Sequence, residues 1–375
     1  MNYAIIMAGG AGTRLWPLSR EKLSKPALKL LGEESMFQIA VKRLSPLFAP
    51  EQIIVVSGRE HAAALTQQVP EIPSENYLLE PMGRGTAAAV GLAAIHLYAR
   101  DKNATMAVLT ADHYIGNTEK FRAVISAAIE IAQKDYLVTL GIQPTSPSTQ
   151  FGYIERGETI AEIGGFSIHQ ARRFVEKPDL ENAMRMLETG NYTWNSGMFI
   201  WKVDVILAEF AKQMPHLHQG LMKLLETIQV VKRMDNQHYT LTDEEIQAEQ
   251  NYSQVLGEVW LGLQKQTIDY GVMEHAQRVA VIPVDIEWMD IGNWADLKSL
   301  LPADENNNSV IGNVLLLDSN DTFVMGGKRL ISAVGLKDMV IVDTADALLI
   351  CPLDQVGKVR QIVAELNASE KMDLL

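Results

Sequence analysis

Cysteine is almost absent from this sequence of 375 residues, which contains only Cys351. An internal disulfide is therefore excluded, and we expect a cytoplasmic location, because a reducing compartment fits this composition. Long apolar runs are also missing, since none approaches the ~18 residues of a membrane span. The N-terminus has no basic segment before its short apolar run. We therefore interpret that run as the first strand of a domain and not as a signal peptide.

Positive charge is in deficit as well. The chain has 33 lysines and arginines against 46 aspartates and glutamates, which gives a net charge of −13. An acidic protein is a poor candidate for sequence-independent nucleic-acid binding, so any phosphate chemistry should occur in a local basic pocket. Neither nucleic acid nor a membrane is expected as a partner.

Short apolar runs alternate with amphipathic segments of helical period up to about residue 140. This alternation predicts a Rossmann-like α/β domain with a doubly wound, mostly parallel sheet. We place this domain at residues 1–300 and expect a mostly helical stretch within it, at about 203–265. Short strands between turns then predict a small β module at 301–375, with the form of a short left-handed β-helix and a last helix at about 354–366.

The stretch AIIMAGGAGTRLWPLSREKLSKP, residues 4–26, runs from an apolar strand into a glycine-rich turn. A dinucleotide fingerprint needs a further glycine near Arg14, and a P-loop needs Gly-Lys-Ser/Thr, which this stretch lacks. A tight turn without a ligand is one remaining interpretation. The other is a loop whose glycines let backbone N–H groups approach a polyanion, while Arg14 and Lys25 add positive charge.

Further motifs follow this stretch along the chain. They are AGGAGTRLWPLSR with Lys25-Pro26, EPMGRGTAAAVGLAA, VLTADHYI, LGIQPTSPSTQFGYIERG, FVEKPD, WNSGMFIW, IDYGVMEHAQRVAVIPVDIEWMDIGNWADL and GLKDMVIVDTADALLIC. In this order the motifs resemble those of the nucleotidyltransferases that make sugar nucleotides. Within that family they are most similar to the mannose-1-phosphate guanylyltransferase branch. The resemblance covers most of the chain.

The resemblance implies transfer of GMP from GTP to mannose 1-phosphate, with Mg²⁺ as cofactor. The sugar phosphate attacks the α-phosphorus in line and pyrophosphate leaves, so catalysis depends on positioning and charge neutralisation. Two alternatives stay open: the same chemistry on another sugar 1-phosphate and nucleotide, and a catalytically silent regulatory subunit. We expect no fused isomerase domain of the kind that longer relatives carry. A homodimer is expected from the strand edges of the β module.

The resemblance also implies the residues of the site. The catalytic candidates are Arg14, Lys25 and Lys177. The nucleotide-binding candidates are Gly9, Gly10, Gly12, Thr13, Glu80, Pro81, Gly85 and Thr86. The sugar-binding candidates are Gly152, Glu176, Asn195 and Asp269. The metal-binding candidates are Asp112 and Asp290, since magnesium commonly takes one or two carboxylates and completes its shell with phosphate and water.

Structural roles compete with several of these assignments. Asp112 and Asp290 could each cap a turn or helix, Thr86 could cap the helix that it begins, and VEKPD could be a plain exposed turn. Trp288 is expected to serve packing.

Glu80 is the acidic residue of the predicted base-binding loop. A carboxylate there can accept from the N1–H and 2-amino group of guanine. The alternative is that Glu80 braces the loop, and that backbone groups from Pro81 to Gly85 read the base.

Overall fold

The structure, a computed structural model, describes residues 1–10, 12–234 and 243–375. The N-terminal strands are β1 (Asn2–Met7), β2 (Ile53–Gly58), β3 (Tyr77–Glu80), β4 (Thr105–Thr110), β5 (His113–Ile115), β6 (Leu137–Ile142), β7 (Tyr153–Ile163), β8 (Phe166–Val175), β9 (Tyr192–Lys202), β10 (Val279–Pro283) and β11 (Trp288–Asp290). The helices are α1 (Met36–Lys42), α2 (Ala62–Gln68), α3 (Thr86–Arg100), α4 (Thr118–Ala132), α5 (Leu180–Thr189), α6 (Val203–Gln213), α7 (Pro215–Met234), α8 (Asp243–Gly262) and α9 (Trp294–Leu300).

A nine-stranded sheet forms the centre of this part, in the order β3-β2-β1-β4-β9-β6-β10-β8-β7. The strands β3, β2, β1 and β4 are parallel to one another, and β6 is parallel to β10. Strand β9 lies antiparallel between β4 and β6, and β7 and β8 form an antiparallel pair at the edge. The α/β class is as predicted, and the sheet is mixed.

Strand β1 shows why its sequence is apolar without alternation. Tyr3 and Ile5 pack into one core, whereas Ala4 and Ile6 pack into a second core on the opposite face. Successive side chains of a strand point to opposite faces, so a strand covered on both sides needs apolar residues throughout.

Helices α6, α7 and α8 lie in the stretch predicted as mostly helical, of which residues 235–242 lie outside the described part. Within the described residues, no helix combines the length and the apolar character that crossing a bilayer requires.

The C-terminal part contains β12 (Ser309–Ile311), β13 (Val314–Leu317), β14 (Phe323–Met325), β15 (Ile331–Val334), β16 (Met339–Asp343), β17 (Leu348–Pro352) and α10 (Val359–Ala368). Strands β12, β14 and β16 stack in parallel, and β13 pairs in parallel with β15. The first two turns of chain therefore each add one strand to both stacks, as in the predicted β-helix, and β17 then pairs antiparallel with β16. The last helix begins later than predicted, because Leu353–Lys358 forms a 3₁₀ segment.

A third core joins the C-terminal module to the glycine-rich segment. Leu15 and Trp16 pack there with Trp294 of α9 and with Phe323 and Val340 of the module. The indole of Trp294 also donates to the carbonyl of Trp16 over 3.1 Å. The module thus supports the segment that carries Arg14. The division at residue 300 stays a prediction.

Candidate active site

A cavity of about 240 Å³ opens beyond the carboxyl ends of β1 and β4, and we call it the phosphate cavity. Its lining includes the predicted residues Gly9, Gly10, Gly12, Thr13, Arg14, Lys25, Asp112 and Asp290, together with His113 and Gly292. Ligands of open α/β sheets bind at this end of the strands. The structure therefore brings the predicted triphosphate and metal residues together with the catalytic candidates Arg14 and Lys25, whereas Lys177 lies outside this cavity.

Strand pairing explains how Asp112 and Asp290 meet although they are far apart in sequence. Strand β11 runs antiparallel to β5, and the pairing sets Asp290 opposite His113, the neighbour of Asp112. Lys25 Nζ lies 2.9 Å from Asp112 Oδ2 and 3.0 Å from Asp290 Oδ1. The two carboxylates therefore converge on one position of a size that suits a single cation.

Charge pairing dominates the protonation of this cluster. Burial opposes the positive charge of Lys25, but Asp112 and Asp290 outweigh burial and raise the pKa of Lys25. Burial also opposes the negative charge of Asp290, yet the Lys25 ammonium lowers the pKa of Asp290. Both groups are therefore charged at neutral pH.

Gly12 is required where the glycine-rich loop passes Lys25. Its φ is +60°, and a Cβ at this position would lie 2.7 Å from Cβ of Lys25. A Cβ on Gly9 or Gly10 would meet no protein atom within 4 Å. The backbone at Gly9 and Gly10 thus faces open space, as a loop that receives a polyanion requires.

A second cavity of about 220 Å³, the sugar cavity, adjoins the first and shares His113 and Asp290 with it. It is lined by the four predicted sugar residues Gly152, Glu176, Asn195 and Asp269, and also by Lys177 and Thr86. The shared residues place the predicted sugar groups beside the predicted metal ligands. An oxygen of a bound sugar phosphate could therefore reach the phosphate cavity.

The polar groups of the sugar cavity are held by one another. Asn195 donates to Asp269 Oδ1 over 2.8 Å, while its own Oδ1 accepts from the backbone N–H of Gly197 over 3.1 Å. Lys177 pairs with Glu176 Oε1, and Glu176 Oε2 is buried without a hydrogen-bond partner among the described residues. That oxygen is an acceptor for which the fold supplies no donor.

Burial, reinforced by the negative charge of Glu176, raises the pKa of Asp269 to about 6. The hydrogen bond from Asn195 favours the charged form and offsets part of this rise. Asp269 begins a π-helical turn that ends at Met273. Such turns are frequent at functional sites.

The predicted base loop, apart from Thr86, is not part of the lining of either cavity. Glu80, Pro81 and Gly85 line neither cavity. Glu80 is 8% exposed, and its Oε1 accepts from the indole of Trp260 over 3.2 Å. Burial raises the pKa of Glu80 to about 7, partly offset by that hydrogen bond. Base recognition by Glu80 stays a prediction, and this geometry favours the alternative in which Glu80 braces the loop.

Gly85 and Thr86 connect the base loop to the segment before Asp269. Gly85 has φ of +87°, and a Cβ there would lie 2.2 Å from the carbonyl oxygen of Gln266. The hydroxyl of Thr86 accepts from the backbone N–H of Ile268 over 2.9 Å. Thr86 does not cap α3, since Gly85 is the capping residue.

The helix-capping alternative is wrong for Asp290, and Asp112 does not cap the next helix either, whereas a turn-capping role of Asp112 stays a prediction. Helix α4 is capped by Asn117, whose side chain accepts from Lys120 N–H. Helix α9 is capped by Asn293, which forms a capping box with Asp296. Asp112 and Asp290 therefore have no capping role at these helices, and both point to Lys25 instead.

Sequence reasoning missed Arg43, which lies behind the predicted metal ligands. Arg43 is 5% exposed, and it donates to the carbonyls of His113 over 2.9 Å and Thr110 over 3.5 Å. Burial lowers the pKa of Arg43 to about 10. The sequence did contain a signal for this role. Arg43 directly follows α1 and continues the helix face that carries the buried residues Met36 and Ala40.

The role of Trp288 was also underestimated. It lines the sugar cavity, and its indole donates to His113 Nδ1 over 3.1 Å. An indole N–H can only donate, so His113 Nδ1 is the acceptor and the ring proton lies on Nε2. Burial lowers the pKa of His113, in keeping with a neutral ring.

Comparison with known proteins identifies the family. A model of the nucleotidyl transferase family matches residues 3–307. The chain belongs to the nucleotidyl transferase family. A second model, for the MannoseP isomerase/GMP-like beta-helix domain, matches residues 312–366. The family resemblance that the sequence motifs indicate is therefore confirmed. The predicted fold class of this nucleotidyl transferase is confirmed as well.

Individual relatives agree over nearly the whole chain. A mannose-1-phosphate guanylyltransferase of Klebsiella pneumoniae is 34% identical over 98% of this chain and 74% of its own length. A xanthan biosynthesis protein of Xanthomonas campestris pv. campestris is 37% identical with the same coverage. A crystal structure from Thermus thermophilus, described as a mannose-1-phosphate geranyltransferase, is 32% identical with a TM-score of 0.83. It covers 98% of this nucleotidyl transferase and 99% of its own chain.

Proposed function

We propose that this chain transfers GMP from GTP to mannose 1-phosphate, which gives GDP-mannose and pyrophosphate. The observation that carries the proposal is the pair of adjoining cavities that share Asp290 and His113. One cavity offers cations and open backbone to phosphates, and the other offers hydrogen-bonding groups to a sugar. The names of relatives that match along 98% of the chain supply the substrate pair.

The chain's own residues act by orientation and charge. Backbone groups at Gly9, Gly10 and Gly12 and the guanidinium of Arg14 receive the triphosphate. Arg14 lies beside Gly292, so that it faces the same cavity as Asp290. An oxygen of the sugar phosphate attacks the α-phosphorus in line, and Arg14 stabilises the charge that develops on the leaving pyrophosphate.

The donor set fits a divalent ion. Asp112 and Asp290 approach one cation position, and their side chains are 26% and 29% exposed. Among the described residues, no group of three or more acidic, histidine or cysteine side chains could hold a metal. Two carboxylates with phosphate and water suit Mg²⁺, which when bound would neutralise charge on the reacting phosphates.

A panel of substrates tests the proposal. The purified chain is assayed for pyrophosphate release with each common nucleoside triphosphate and with mannose 1-phosphate or glucose 1-phosphate. We expect the highest kcat/KM for GTP with mannose 1-phosphate. Another preferred pair would identify the same chemistry on other substrates, and no turnover with any pair would favour the regulatory subunit. The homodimer and the cytoplasmic location remain predictions.

A further inference from the structure

Lys25 lies where the two candidate metal ligands converge. Its Nζ is within 3.0 Å of an oxygen of Asp112 and of Asp290. The side chain is only 8% exposed, so these contacts are not a loose surface pair. The fold thus already supplies a cation to the position that the proposed function gives to a divalent ion.

Two cations cannot share this position closely. An ammonium and a divalent ion both within contact of the same carboxylate oxygens would repel each other strongly at this partly buried site. Occupation by one therefore weakens occupation by the other. Lys25 is also a candidate phosphate ligand, and its ammonium group cannot pair fully with phosphate oxygens while it is paired with both carboxylates.

The backbone of Lys25 has little freedom to adjust. It begins a 3₁₀ turn with Pro26, and its Cβ lies against Gly12 so closely that Gly12 has no room for a side chain. Movement must therefore come from the side chain. Gly9, Gly10 and Arg14 line the same cavity, so a short displacement of Nζ within the cavity leads towards the predicted triphosphate position.

We propose that Lys25 is the resident cation of Asp112 and Asp290 in the substrate-free enzyme, and that it exchanges these carboxylates for nucleotide phosphate oxygens when Mg²⁺ arrives with the nucleotide. The exchange rests on the proposed function, which supplies the incoming phosphate and Mg²⁺. It keeps both carboxylates compensated in either state. It also makes the bare protein a weak metal binder, so that metal and nucleotide bind together.

Direct metal binding tests the exchange without any substrate. Mn²⁺ is titrated into the full chain, and free Mn²⁺ is measured by electron paramagnetic resonance, with no nucleotide or sugar present. We expect Lys25→Gln to bind Mn²⁺ at least roughly tenfold more tightly than the wild type, because a competing cation has been removed. The matched control is Lys22→Gln, which removes the same charge from an exposed position three residues away and should bind like the wild type.

Equal or weaker binding by a folded Lys25→Gln would overturn the proposal, and so would an equal gain in Lys22→Gln. Lys25→Met is measured in parallel as a second neutral variant, with cooperative thermal unfolding as the check on folding. The wild type offers an independent readout if neither variant folds. Saturating Mn²⁺ should then increase acetylation of Lys25 by acetic anhydride, and unchanged acetylation would overturn the exchange.

The result is separate from the test of the proposed function. If the chain failed to turn over GTP and mannose 1-phosphate, tighter Mn²⁺ binding by Lys25→Gln would still support the exchange. If turnover were as expected and Mn²⁺ affinity were unchanged, only the exchange would fail.

Discussion

Asp290 and Asp269 are both aspartates of the candidate site, and their surroundings move their pKa values in opposite directions. Burial opposes ionisation at both positions. At Asp290 the Lys25 ammonium outweighs burial and lowers the pKa, whereas at Asp269 the nearby Glu176 adds to burial and the pKa rises to about 6. The phosphate cavity therefore keeps its carboxylate charged, and the sugar cavity holds one whose charge is easily lost.

The difference matches the chemistry of the two ligands. The triphosphate and the sugar phosphate together carry several negative charges when they meet at the α-phosphorus. Their cavity therefore needs fixed charged groups, which compensate one another in the free protein and compensate the substrate charge when it binds. Sugar hydroxyls are neutral, and oriented acceptors such as Glu176 and Asp269 are sufficient to recognise them. Changes in the phosphate cavity should therefore affect the chemical step, and changes in the sugar cavity should affect sugar binding.

The largest effect on activity is expected from changes at the two candidate metal ligands, Asp112 and Asp290. Asp112→Asn or Asp290→Asn should each lower kcat by about 10³ or more, because each removes part of the proposed metal site. The double variant should be little worse than the worse single one, since the residues act as a unit. Fully additive losses in steady-state assays would contradict a shared ion, and Asp285→Asn, at an exposed aspartate before β11, serves as the control.

Arg14→Lys should have the next largest effect. Lysine keeps the charge but loses the planar fork that contacts two phosphate oxygens at once. We expect kcat to fall by about 10²–10³, the scale of one lost transition-state donor. A raised KM for GTP at unchanged kcat would instead show that Arg14 contributes to binding of GTP and not to stabilisation of the transition state.

Asp269→Asn should mainly weaken sugar binding. We expect KM for mannose 1-phosphate to rise about tenfold with little change in kcat, since one charged hydrogen bond contributes about 1.5–3 kcal/mol. In the wild type, Asp269 gains its charge as the pH rises through about 6, so this KM should fall between pH 5 and pH 7. In Asp269→Asn, this KM should depend less on pH, because the contribution of Asp269 is missing. Identical pH profiles of KM for the variant and the wild type would contradict this role.

Glu80→Gln should have the smallest effect on activity. The amide oxygen can still accept from Trp260, so rates with GTP and ATP should fall alike and by less than ~10-fold. A lower GTP-over-ATP ratio would restore Glu80 as a base-reading residue.

The pH dependence of stability gives a second measurement for Glu80. Its pKa of about 7 in the folded chain is above the ordinary value, so the folded state binds the proton more tightly and loses stability as the pH rises from about 4.5 to 7. Glu80→Gln removes this loss. Its free energy of unfolding at pH 8 should exceed that of the wild type by about 1–3 kcal/mol, with no gain at pH 4. Urea unfolding at both pH values measures this difference.

Local sequence patterns were sufficient for much of the fold and for the glycine-rich loop of the phosphate cavity, whereas Asp112 and Asp290 were assigned to the site through the family resemblance. The uninterrupted apolar run of β1 predicts burial on both faces, and the strand-to-glycine transition after it predicts the position of the cavity. The direction of β9 was not predictable in this way. Its residues are buried along nearly the whole strand, and apolar periodicity is the same for parallel and antiparallel neighbours.

The parts of the site that escaped prediction depend on tertiary contacts. The pairing of β5 with β11 sets Asp290 beside His113, and no local pattern specifies that pairing. Arg43 donates to the carbonyl of His113, which lies 70 residues away in the sequence. Glu80 was assigned from its place in the loop, whereas its hydrogen bond comes from Trp260, 180 residues further along the chain.

A side-by-side kinetic comparison of Arg14→Lys and Asp269→Asn tests the division between the two cavities most directly. Both variants and the wild type are assayed for pyrophosphate release over full ranges of GTP and mannose 1-phosphate at pH 7.5. The account predicts that Arg14→Lys lowers kcat at a nearly unchanged KM for mannose 1-phosphate, and that Asp269→Asn raises that KM at a nearly unchanged kcat. If both variants altered the same kinetic parameter to a similar extent, the division of charge and recognition between the two cavities would be contradicted.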